Sequence, residues 1–128
     1  MRPHRQRNAG QDLVEYAIIL PLLLLLLLGI AEFAIIVFTY DTLGNAAREG
    51  ARYGVVHPTD QAGICNAARR LTSGLDSGAI TCDVILPGSN TIQVEMGYDY
   101  GFIAGNVMAA AGGQPTIHLS SAATMRIE

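Results

Sequence analysis

Residues 11–56, QDLVEYAIILPLLLLLLLGIAEFAIIVFTYDTLGNAAREGARYGVV, constrain this chain more than anything else in it. The first half is an aliphatic block broken only by Pro21, and residues 16–31 carry no formal charge. After Glu32 the run 33–40 is uncharged as well. A membrane crossing takes about 20 predominantly apolar residues, so 16–38 suffices with Glu32 near the outer headgroups. The second half keeps a helical rhythm but is thick with small residues. Gly44, Ala47, Ala51 and Gly54 fall on one stripe, and small side chains let a neighbouring backbone or sheet approach closely. The prediction is one long helix, lipid-embedded at its start and packed on protein at its end. Pro21 removes a backbone donor and predicts a kink or local unwinding there.

Charge orients the segment. All eight basic residues among the 128 are Arg, and Arg2, Arg5 and Arg7 precede the apolar block. That asymmetry follows the positive-inside pattern, with residues 1–10 as a cytoplasmic leader and the rest across the membrane. Beyond Gly10 only five Arg stand against eleven acids, so no basic patch for nucleic acid exists. A cleaved secretory signal is the competing reading of such an N-terminus. It calls for a short apolar core, a small-residue cleavage site and then a polar mature start. Here the helical pattern continues through Phe33, Val37 and Phe38 without a break before Pro58, which favours a retained anchor.

Past His57-Pro58 the chain predicts a small α+β unit over 57–128. Thr59 or Asp60 can cap a second helix over 60–73, with Gly74 as its stop. The period then becomes two. Ile80, Cys82, Val84 and Leu86 share one face, as do Ile92, Val94, Met96 and Tyr98, with a turn at 87–90 between them. Ile117, Leu119, Ser121, Ala123, Met125 and Ile127 alternate again. Three antiparallel strands, each apolar on one face, would pack on a helix. Segment 101–114, GFIAGNVMAAAGGQ, has no period. It reads as an apolar loop with at most one helical turn, either a contact surface or a piece tucked under the sheet.

Cys65 and Cys82 are the two cysteines. Outside the cytoplasm such a pair reads as a disulfide, stabilising by roughly 3 kcal/mol in the chain-entropy model; two buried thiols are the alternative. Two Cys without a nearby His do not make a metal site, and no cofactor is expected. His4, His57 and His118 have no acid or Ser partner at an interpretable spacing, and no catalytic motif is visible, so an enzyme is not expected. Glu15 is the informative acid. It lies beside the aliphatic block, where an isolated carboxylate needs a partner, a proton or the headgroup zone. Glu32, 17 residues along and about 25 Å away, is read as a headgroup-level acid.

At Gly10-Gln11-Asp12-Leu13-Val14-Glu15-Tyr16 the chain resembles a type IV pilin-like N-terminus: a basic leader ending in Gly, four residues, then Glu and an aromatic before the apolar helix. The stretches ILPLLLLLLLGIAEF and NAAREGARYGVV, and more weakly the closing LSSAATMRIE, are similar to the TadE/TadG-like family, pseudopilins of the tight-adherence pilus system. The resemblance implies cleavage by a prepilin peptidase between Gly10 and Gln11. It makes Glu15 the fifth mature residue, followed by Tyr16 and paired with the new amine of a neighbouring subunit. It implies a pilus subunit, major or minor, with cell adhesion as its context. Such a subunit starts in the inner membrane with its C-terminal domain outside and ends in an extracellular filament. Its partners would be other pilin subunits, the assembly machinery and the peptidase. The alternative is a membrane-anchored binding module that never polymerises and uses 101–114 to hold a ligand.

Overall fold

The structure is a computed structural model that describes residues 9–88 and 90–127. Most of the leader, Ser89 of the 87–90 turn and the C-terminal Glu128 lie outside the described residues. Helix α1 runs from Ala9 to Val56, 48 residues and about 72 Å, so it starts inside what the sequence assigns to the leader. It passes through Pro21 without interruption, where the sequence predicts a kink or unwinding. Proline removes a single i→i−4 bond, and the unbroken ladder on either side carries the helix across that gap.

The chain leaves α1 at His57-Pro58, with the His57 amide still donating to the Tyr53 carbonyl. Asp60 then caps helix α2 (Gln61–Arg69) by accepting from the Gly63 amide at 2.9 Å, and it also accepts from the Tyr53 hydroxyl at 3.2 Å. Helix α2 ends at Arg69, four residues before the end of the stretch 60–73 that the sequence predicts. After Arg69 the chain tightens into i→i+3 turns, and the Thr72 hydroxyl donates to the Arg69 carbonyl. Gly74, expected as the helix stop, instead takes a left-handed turn conformation at φ 97° beyond it.

Strands β1 (Ile80–Gly88), β2 (Thr91–Gly101) and β3 (Thr116–Arg126) form one antiparallel sheet in the order β1-β2-β3. Between β2 and β3 the chain makes a short helix α3 (Gly105–Ala110). The architecture is α+β, with α1 and α2 against one face of the sheet.

The core lies where the small stripe of α1 meets the sheet. Leu43, Ala46, Ala47 and Ala51 are fully buried against Ile92, Val94 and Met96, with Ile64 and Ala68 of α2 on the other side. Gly50 marks the three-way junction. A Cβ there would lie 3.1 Å from both the Ala68 Cβ and the Val94 Cγ1. Gly50 and Gly54 are therefore spacers that let α1 sit between α2 and β2. Cys65 and Cys82 are joined by a disulfide with their Cα atoms 6.0 Å apart, stapling α2 to β1.

Candidate functional site

The N-terminal half of α1 makes no comparable contact. From Leu13 to Phe38 almost every large apolar side chain is exposed, including the whole run Leu22–Leu27. Leu28 and Ile36 are the half-buried exceptions. Apolar patches beyond a few hundred Å² mark a protein or membrane contact. Covering a Leu or Ile side chain is worth about 1.5–3 kcal/mol, so this rod cannot stay bare in water. It is long and apolar enough to span a membrane.

Glu15 and Tyr16 sit on this exposed rod, sharing a shallow depression with Asp12 and Ile19. Among the described residues Glu15 has no hydrogen-bond or ion-pair partner. Gly10 and Gln11 lie in the first turns of α1. One end of the rod thus gathers every residue the resemblance singles out for processing and assembly.

Glu32 departs from the sequence reading. It does not rely on headgroups for a partner but is buried within its own chain, 7% exposed. Its carboxylate accepts from the Tyr100 hydroxyl at 2.5 Å and from the Ala104 amide at 3.1 Å. Tyr100 continues the inward face of β2, and Ala104 immediately precedes α3. Helix, sheet and α3 are therefore fastened at one point, where a charged-group hydrogen bond contributes about 1.5–3 kcal/mol. Burial pushes the Tyr100 hydroxyl up to about 12, and the bond to Glu32 adds to that rise. Sequence spacing does not reveal this pair, because the partners lie 68 residues apart. The only signal for it is an acid standing inside an otherwise uncharged run.

Segment 101–114 is not tucked under the sheet. It folds back so that α3 stands beside α1 at the level of Leu25–Ile36. His118 also gains a partner that its spacing hides. The β2–β3 register places it opposite Asp99, with Nδ1 and Oδ1 2.6 Å apart on the exposed face. Such exposed pairs contribute little.

Residues 10–52 match the TadE-like protein family. This stretch of the chain is TadE-like. The family is a structural, pilus-related one, and the match supports a pilus-associated, pseudopilin-like role. The TadE-like stretch covers the exposed rod, Glu15, Glu32 and most of the small-residue stripe, and it ends before the strands. No curated protein and no solved structure matches the chain.

Proposed function

We propose that this TadE-like chain is a non-enzymatic subunit of a type IV-like, tight-adherence pilus. A prepilin peptidase cuts between Gly10 and Gln11, which leaves Glu15 as the fifth residue of the mature chain. The apolar half of α1 then moves from the inner membrane into a filament core, among the α1 helices of other pilin subunits. Its C-terminal half stays locked to the sheet and carries the small domain outside. The subunit is either the main building block or a minor component, and copy number in purified filaments separates the two.

The observation that carries this reading is the pairing of opposites on one helix. The same α1 buries Leu43, Ala46, Ala47 and Ala51 completely and leaves nearly every large apolar side chain from Leu13 to Phe38 exposed. A removed signal would not share an unbroken helix with the core of the domain it precedes. Glu15 supports an assembly role for the bare half, since a carboxylate on an apolar rod needs an opposite charge once water is gone. The amine created at Gln11 on a neighbour supplies that charge.

The test is Glu15→Ala in cells that make pili. Membrane insertion should persist while filaments fail to form, and the mature protein from unaltered cells should have the mass of a chain starting at Gln11. Unimpaired filaments would remove the role assigned to Glu15, and an intact N-terminus in assembled pili would remove the processing step. Filament preparations that lack the protein would favour the membrane-anchored binding module.

A further inference from the structure

The unexplained part of the molecule is the apolar segment at its waist. Residues 101–114 carry no formal charge. Phe102, Val107 and Met108 face Leu25, Gly29 and Phe33 across an apolar cleft. Even so, Ile103 and Val107 remain 67% and 62% exposed, continuous with the bare surface of α1. Depth arithmetic says what covers them. A hydrocarbon core of about 30 Å takes about 20 helical residues, which reach from Leu13 to Glu32. Leu25 then lies about 10 Å inside the level of Glu32, so α3, which stands beside both, lies at the outer boundary of the bilayer.

The backbone of this segment is already suited to lipid, where every amide must be satisfied internally. The Phe102 amide donates to the Pro115 carbonyl, and the Ala104 amide donates to Glu32. The amides of Gly105, Val107, Met108, Ala111, Gly112 and Gly113 all donate to carbonyls between Phe102 and Ala109. Most of the segment's amides are thus bonded within the chain, which lowers the cost of placing it against lipid.

We infer that, before assembly, α3 lies in the outer-leaflet interface, with the side chains of Ile103 and Val107 in contact with lipid. The Glu32–Tyr100–Ala104 fastening sets its depth. The small domain is then seated on the membrane at two points, the α1 crossing and this short apolar piece, sunk about 5–10 Å as interfacial helices are. The inference rests on the reading of α1 as a membrane span.

The chain contains no Trp, so a single introduced Trp reports one place. Three full-length variants, Leu22→Trp, Ile103→Trp and Val107→Trp, are reconstituted at low protein-to-lipid ratio into phosphatidylcholine–phosphatidylglycerol vesicles. The lipids carry bromine either near the headgroup or near the acyl-chain end. Leu22→Trp should lose most of its emission to the deep bromines. The other two should lose most of theirs to the shallow bromines and little to acrylamide in the water. Quenching of Ile103→Trp and Val107→Trp by acrylamide but not by bromine, with Leu22→Trp still quenched, overturns the inference and leaves the span intact. Protection from both quenchers means that a second copy covers α3, and that also overturns it. An unquenched Leu22→Trp removes the span, and the inference goes with it.

Discussion

Glu15 and Glu32 are the same carboxylate on the same helix, and the fold treats them oppositely. Glu32 receives two donors from its own chain, whereas Glu15 has no partner among the described residues, and the proposed function gives it one on a neighbouring subunit. Replacing Tyr100 with Phe keeps the shape and deletes one donor. Thermal unfolding of detergent-solubilised Tyr100→Phe should show a loss of about 1–3 kcal/mol; an unchanged midpoint would mean that the fastening contributes nothing. The loss also depends on pH. The folded-state pKa of Tyr100 is raised above its ordinary value of 10.0 to about 12, so its contribution is complete below pH 10 and fades as pH rises through about 12. The stability gap between wild type and Tyr100→Phe should narrow across that window, and a gap that widened would contradict the assignment. The need for a partner at an acid inside an apolar run is legible from sequence, and it applies to Glu32 as much as to Glu15. The identity of the partner is not, because Tyr100 looks locally like a strand end and only the sheet brings it to the helix.

Among the elements, those with a strict period were readable and those without one were not. The strands follow their two-residue alternation to within a residue or two, and Ile92, Val94 and Met96 are the buried set that the pattern marks. The stripe Gly44, Ala47, Ala51 and Gly54 was visible because it repeats on one helix face. Gly50 and Ala46 belong to the same buried surface and widen it. Helix α3 reads from sequence as no more than a helical turn because its small and apolar residues have no period, and α2 reads longer because Leu71 and Leu75 keep the helical spacing after the backbone has turned. The stripe makes a graded prediction. At Gly44 an added Cβ meets nothing nearer than the Ser121 Oγ at 3.4 Å, so Gly44→Ala should gain up to about 1 kcal/mol from helix propensity. At Gly50 the same Cβ meets Ala68 and Val94 at 3.1 Å and the Ile64 carbonyl oxygen at 3.3 Å, and a backbone oxygen cannot rotate away. Overpacking costs about 1–3 kcal/mol, so Gly50→Ala should be the less stable of the two in denaturant unfolding. The reverse order would mean that α1 does not sit as closely as described.

At the scale of the molecule, the chain is a rod with a small head gripping its outer half. The grip is supplied internally, by the stripe, by α2 with its disulfide to β1, and by Glu32. The other half leaves nearly all its large apolar side chains exposed, and the TadE-like match covers that half together with most of the gripped one. The central claim is that the bare half is covered by lipid first and by neighbouring subunits afterwards. A photo-crosslinking residue at Leu24, midway along the exposed run, tests it most directly when the product is recovered from purified surface fibres and sequenced. The expected product is a cross-link to the α1 helix of another pilin subunit. Fibres free of this protein, or fibres in which position 24 captures only lipid, would contradict it.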